Sequence, residues 1–219
     1  MKRAALFDVD GTLADTNHLH VVCWWEALRQ AGHDIAMHDI HRAIGLPGED
    51  LLAHVLGEDR DTTEDDTLSA AHSTLYGTYF DRLPPLGSAA DLLRELNRRG
   101  WRVVLVTSAK DAELDALRRA VDADDAITAT ASSDDVSEGK PAPDPVHHAL
   151  GLADAPAQGA VLVGDTVWDM QAGLRPCSGS ANECQRRSPW VWSIDSMPPG
   201  SASIRHLWVS RRGGGRPPA

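Results

Sequence analysis

Four short apolar runs constrain the fold of this chain more than any other feature: residues 3–9 (RAALFDV), 101–107 (WRVVLVT), 126–131 (AITATA) and 160–164 (AVLVG). Such runs read as strands buried on both faces. Helical patterns separate the later ones. Residues 88–100 open at Ser88 as an N-cap, carry Leu92, Leu93 and Leu96 on one face and close at Gly100, and further patterns cover 111–121 and 143–151. Strands alternating with helices of this length imply an α/β fold with a parallel sheet covered on both sides. Residues 16–83 break the alternation, with helical patterns at 17–31, 36–44, 49–56 and 66–82 and no convincing strand. The simplest account is a helical domain inserted after the first strand. It would sit above the carboxyl ends of the strands, where open α/β sheets bind ligands. The expected organisation is therefore a core of 1–15 and 84–174 with a helical cap of 16–83.

The first and last of these strands end in acid. FDVDGT places Asp8 and Asp10 two residues apart, and VGDTVWDM places Asp165 at a strand end with Asp169 four residues later. Paired carboxylates repel each other and cost free energy when desolvated, so a compensating cation is expected beside them. A lone DxD would read as a surface turn, but two acidic pairs ending two strands of one sheet are far more specific. Hard carboxylate oxygens with few His or Cys nearby suit Mg²⁺, which keeps waters and binds substrate phosphate. Thr107 and Ser108 bring a hydroxyl and free N–H groups to the same edge. Lys140, in SEGKPAPDP, follows the third strand; alone it would read as a surface lysine, but Pro141, Pro143 and Pro145 stiffen its loop. Its ammonium is then placed to hold a phosphoryl oxygen and the acidic cluster together.

Charge narrows the function classes. The formal net charge of −11 argues against a nucleic-acid or anionic-membrane partner. The acidic stretch 57–66 (GEDRDTTEDD) reads as a solvated loop and not a metal site. Three cysteines show no CxxC pair and read as reduced thiols. No run approaches the roughly 20 apolar residues that span a bilayer. The N-terminal apolar stretch is cut off by Asp8, too short for a signal peptide. A cytoplasmic protein, monomeric or weakly dimeric, is expected.

In order and context, these elements resemble the haloacid dehalogenase-like hydrolase superfamily. DVDGT is similar to its first motif, the Thr107–Ser108 strand end to its second, Lys140 to its third and GDTVWD to its fourth. The insert resembles the helical cap of the phosphoglycolate phosphatase and β-phosphoglucomutase branch. A receiver-domain reading, also built on Asp, Thr/Ser and Lys, fits poorly because it would carry neither DxDGT on the first strand nor the insert. The resemblance implies a three-layer, Rossmann-like parallel-sheet core and a small phosphorylated metabolite as substrate. It implies that Asp8 attacks phosphorus to give an aspartyl-phosphate. Asp10 would protonate the leaving oxygen and later deprotonate water. Asp8, the Asp10 carbonyl, Asp165 and Asp169 would hold or orient Mg²⁺, while Thr107 and Lys140 neutralise the phosphoryl oxygens. Gly11 and Ser108 would line the phosphate site, with Gly11 allowing a tight turn and Thr12 bracing the loop.

Within the cap, Asp15 and Thr16 can cap the first helix, His20, Trp24 and Ala27 share one helical face, and Trp25 and Leu28 read as ordinary core. The sugar-phosphate mutases carry a similar His and Trp on their first cap helix, so His20 is a candidate to face Asp10 or the substrate. In those mutases a basic residue in the next cap loop holds a distal phosphate. Here IGLPGEDLL (44–52) offers Gly48 and Glu49 instead, and Arg42 is expected on a helix outside that loop. This favours a monoester phosphatase over a phosphomutase of the β-phosphoglucomutase type.

Beyond Leu174 the pattern is lost. Seven arginines stand against Glu183 and Asp195, with six of the chain's thirteen prolines, and only PWVWSI and RHLWV read as strand-like. The composition predicts a poorly ordered segment over 175–219. Two origins compete: a lineage-specific basic tail, or a shift of reading frame near Arg175 that replaces the last strand and helix of the fold. A third functional reading follows from the second origin, a non-catalytic remnant in which the tail has unseated Asp165 and Asp169.

Overall fold

The strand β1 (Arg3–Phe7) takes the centre of the sheet because its RAALF sequence can be buried on both faces, and Ala4 to Phe7 are all buried. The protein is described by a computed structural model that covers residues 2–174 and the backbone of 190–193. β1 pairs in parallel with β2 (Trp101–Val106) on one side and β4 (Ala160–Gly164) on the other. With β3 (Ile127–Ala131) and β5 (Trp190–Ser193) the parallel sheet has the order β3-β2-β1-β4-β5. The strand β5 lies within PWVWSI and pairs with β4, Leu162 opposite Val191. The expectation of poor order and of an altered frame otherwise concerns residues outside those described.

Alternation along the strands builds the three layers. Ala5, Phe7, Val103 and Leu105 pack on one face against Leu93 and Leu96 of α5 (Ala89–Arg98) and Leu117 of α6 (Asp111–Val121). Ala4, Leu6, Val104, Val106 and Leu162 pack on the other against Val146 and Ala149 of α7 (Asp144–Leu152) and Ala172 of α8 (Val167–Leu174). Between β1 and β2, the helices α1 (Asn17–Gln30), α2 (Met37–Ala43), α3 (Gly48–Leu56) and α4 (Asp65–Gly77) enclose a separate core of Val21, Trp24, Leu28, Ile40, Leu51, Leu52 and Leu68. The chain enters and leaves this helical unit side by side, with the Asp15 N–H donating to the Pro84 carbonyl and the Leu86 N–H to Leu13.

Two expected caps behave differently. Ser88 stands at the start of α5 but with φ of 68° and no side-chain bond to the helix. Thr16 is the N-cap of α1, yet its hydroxyl turns away from the helix and donates to Asp10. The acidic stretch 57–66 is tied from within as well as solvated, because the buried Arg60 guanidinium pairs with Asp65 at 2.7 Å. Cys23 is buried, which pushes its thiol up to about 11 and makes it a poor nucleophile.

Candidate active site

The parallel register delivers Asp8, Thr107 and Asp165 to one edge. Phe7 lies opposite Leu105 and Val163, so the residues just beyond these strands emerge together. The ladder extends past the strands, with the Asp8 N–H donating to Val163 and the Thr107 N–H to Ala131. Thr107 Oγ1 then accepts the Ala109 N–H at 3.0 Å, which turns the chain sharply, while Ser108 is exposed.

Carboxylate oxygens of Asp8, Asp165 and Asp169 lie within 4.8 Å of one another. Lys140 Nζ reaches into this group, 2.5 Å from Asp8 Oδ1 and 2.7 Å from Asp169 Oδ1, and donates to the Val106 carbonyl at 2.9 Å. Asp169 is further anchored through Oδ2 by the Thr166 N–H and hydroxyl. Asp165 accepts from Thr12 Oγ1 and, at 2.6 Å, from Asn17 Nδ2. Glycine is required twice by this crowding: a Cβ on Gly11 would lie 2.3 Å from Asp165 Oδ2, and one on Gly164 would lie 2.4 Å from Asp169 Cγ. Gly11 also holds φ at +75°, in the left-handed region.

One ammonium does not balance three carboxylates. Burial, then repulsion from Asp169, Asp165 and Asp10, holds the Asp8 carboxyl well above its ordinary range against the pull of Lys140. Burial likewise raises Asp165, with Asp169 adding to it and the Asn17 and Thr12 hydrogen bonds opposing. The uncompensated charge and the all-oxygen donor set fit a hard divalent cation held by Asp8 and Asp165. Burial works against the charge of Lys140, but Asp169 and Asp8 outweigh it and hold the ammonium firmly protonated.

Asp10 has a different environment. Its Oδ1 accepts from Thr16 Oγ1 at 2.6 Å and meets His20 Nε2 at 3.2 Å. Burial would raise this carboxyl, but the His20 and Thr16 hydrogen bonds and the charges of His20 and Lys140 bring it below its ordinary value. His20 is raised in turn, the Asp10 hydrogen bond and charge and the Glu113 charge overcoming its burial. Glu113, on α6, comes within 3.9 Å of His20 Nε2, and burial pushes its carboxyl up to about 7. Tyr76 stacks on His20, and Trp24 lies in the cap core with its ring on His72.

Of the residues singled out by sequence, the structure thus gathers Asp8, Asp10, Asp165, Asp169 and Lys140 with His20 at one crevice, flanked by Gly11, Thr107 and Ser108. Sequence reading missed Asn17, Glu113 and His72, and took Thr16 for a helix cap only. One signal was available for His72: His20 and Trp24 on α1, like His72 and Tyr76 on α4, are ring pairs four residues apart.

The cap loop meets the core directly. A Cβ on Gly45 would touch Thr166 and Trp168, and one on Gly139 would meet Pro47 at 2.4 Å. Its rim is acidic: burial first, then Glu49, Glu58 and Glu138, raises the Asp50 carboxyl. Arg42 lies exposed at the end of α2, and Arg60 is engaged with Asp65.

A sequence profile described as haloacid dehalogenase-like hydrolase matches residues 2–175. Among curated relatives, the pyrophosphatase PpaX of Bacillus cereus is 26% identical over 170 residues, covering 77% of this chain and 76% of that protein. Among solved structures, a hydrolase from Pseudomonas syringae superposes with a TM-score of 0.76 at 29% identity, over 88% of this chain and 94% of that one. CbbY from Rhodobacter sphaeroides in complex with phosphate superposes at 0.65 and 27% identity, over 78% and 81% of the two chains. A CbbY variant has also been solved in complex with xylulose-(1,5)bisphosphate.

Proposed function

The chain belongs to the haloacid dehalogenase-like hydrolases, and from that premise we propose a Mg²⁺-dependent phosphatase that hydrolyses a small phosphate monoester through an aspartyl-phosphate at Asp8. The observation that carries this reading is the unlike treatment of two carboxylates two residues apart. Asp8 sits among acids and Lys140, where a further cation would favour its ionised form, whereas Asp10 is paired with His20. That division suits a nucleophile and a proton carrier.

Asp8 Oδ forms a bond to phosphorus as the bond to the leaving oxygen breaks, and the proton held between Asp10 and His20 passes to that oxygen. Water then attacks the same phosphorus, Asp10 takes its proton, and the Asp8–phosphorus bond breaks to release phosphate. Asp8, Asp165 and the Asp10 carbonyl would hold Mg²⁺, with Asp169 orienting them, and the ion would supply positive charge to the phosphoryl oxygens when bound. Lys140 and the loop after Thr107 add donors for those oxygens, where the charge of the transition state is spread. Asp10 has a role only where a leaving oxygen needs a proton, which favours ester hydrolysis over dehalogenation.

The acidic rim of Glu49, Asp50, Glu58 and Glu138 works against a second phosphate at the cap and hence against a phosphomutase. The remnant reading needs Asp165 and Asp169 to be unseated, and both stand within the cluster. The test is a phosphate-release screen with Mg²⁺ over sugar phosphates, other metabolite monoesters, pyrophosphate and a sugar bisphosphate. The proposal expects free phosphate from a monoester and none from the Asp8→Asn variant. Preferred release from pyrophosphate would move the substrate class towards that of the Bacillus relative. Conversion of a sugar 1-phosphate to its isomer without free phosphate would replace the phosphatase reading with the mutase.

A further inference from the structure

Two buried imidazoles touch across the cap, His20 on α1 and His72 on α4, with Nδ1 of the first 3.1 Å from Nε2 of the second. Such a contact needs one proton between the two nitrogens, so one ring donates and the other accepts. The identity of the acceptor follows from the surroundings. His72 is buried beneath Trp24, whose ring lies 4.2 Å away and 13° from parallel. Burial, and then the charge of His20, pushes His72 down to about 3, so it is neutral near pH 7. His20 has the opposite setting, with Asp10 at 3.2 Å and Glu113 at 3.9 Å beside Nε2. His20 therefore donates from Nδ1 to His72, and its other nitrogen points at Asp10. Tyr76 lies 3.9 Å over the His20 ring and limits its rotation.

We propose that His72 is a positioning residue for the acid–base step: by accepting the Nδ1–H of His20 it keeps Nε2 on Asp10, where the leaving oxygen collects its proton. The inference rests on the reading of Asp10 as proton carrier. It gives His72 an influence that depends on the leaving group. A leaving group that departs readily as an anion needs little from Asp10, whereas a poor one needs the proton delivered. A ring that merely fills space would affect both alike.

The test compares kcat/KM for wild type, His72→Leu and His72→Gln over aryl phosphates running from para-nitrophenyl to phenyl phosphate. Leucine removes the acceptor at similar volume, and the glutamine carbonyl can replace it. The expected result for His72→Leu is a loss of about tenfold on phenyl phosphate and less than about twofold on para-nitrophenyl phosphate, largely restored in His72→Gln. A second readout needs no turnover and reports the contact itself. The His20 Nδ1–H should give a downfield, slowly exchanging proton resonance, lost in His72→Leu and present in His72→Gln. A loss that is uniform along the series, no loss at all, or a resonance that persists in His72→Leu would overturn the inference while leaving the phosphatase reading intact. A wild type that released phosphate from no member would overturn that reading, and this inference with it.

Discussion

Asp8 and Asp10 leave the same strand two residues apart, yet they belong to two unlike regions. Asp8 faces the core: its neighbours are Asp165, Asp169 and Lys140, gathered at the carboxyl edge of the sheet, and burial, then repulsion, holds its carboxyl up. Asp10 faces the cap: its neighbours are Thr16 and His20 on an inserted helix, and their hydrogen bonds bring its carboxyl down. Nothing in the local sequence distinguishes the two side chains. The surroundings do: burial and neighbouring acids favour a cation beside Asp8, whereas His20 and Thr16 give Asp10 hydrogen-bond partners. On the proposed mechanism the cap thus contributes to the chemistry through His20.

Asp8→Asn removes the proposed nucleophile and should lower phosphate release by about 10⁴-fold or more, measured by steady-state kcat on a generic aryl phosphate. Metal removal comes next. EDTA should bring activity to background and Mg²⁺ restore it, and Asp165→Asn should raise the Mg²⁺ concentration needed for half activity. Asp10→Asn should cost about 10²- to 10⁴-fold, with a steeper dependence on the leaving group than wild type, because the nucleophile remains while the proton carrier is lost. Equal slopes for Asp10→Asn and wild type would dissolve the proposed division between the two acids.

The cap side is tested separately, through stability. His72 is depressed from its ordinary value to about 3 in the folded protein, so between pH 6.5 and that value the unfolded chain binds a proton that the folded protein does not. Folding stability should therefore fall with decreasing pH in that window, by up to one proton's worth, about 1.4 kcal/mol per pH unit. Urea unfolding of His72→Gln across the same window should show a slope shallower by that amount.

Most of the framework is legible in the sequence. The strands β1, β2, β3 and β4 announce themselves as apolar runs, and the acids that end two of them stand out because a buried strand has no folding reason to finish in repelling carboxylates. Lys140 was legible for a related reason, being a lone cation in a proline-stiffened loop. Glu113 was not, and His72 showed only as one of a ring pair with Tyr76. Each sits at a position that an amphipathic helix tolerates, and its meaning arises only when α6 and α4 are packed against α1. Thr16 misled in another way: a threonine before a helix is favoured as a cap, and the tertiary partner Asp10 took its hydroxyl instead. Ser88 shows the same limit, since a favoured cap residue there adopts φ of 68° and leaves the helix uncapped by its side chain.

If Asp8 carries the phosphoryl group, the group can be trapped there. Asp10→Asn should slow the water step, so mixing it with Mg²⁺ and para-nitrophenyl phosphate, quenching in acid and digesting should accumulate a phosphorylated peptide containing Asp8. The account predicts a hydroxylamine-labile acyl phosphate at Asp8, absent from an Asp8→Asn, Asp10→Asn double variant. Phosphate on another residue, or full turnover with no covalent phosphate at any quench time, would contradict it.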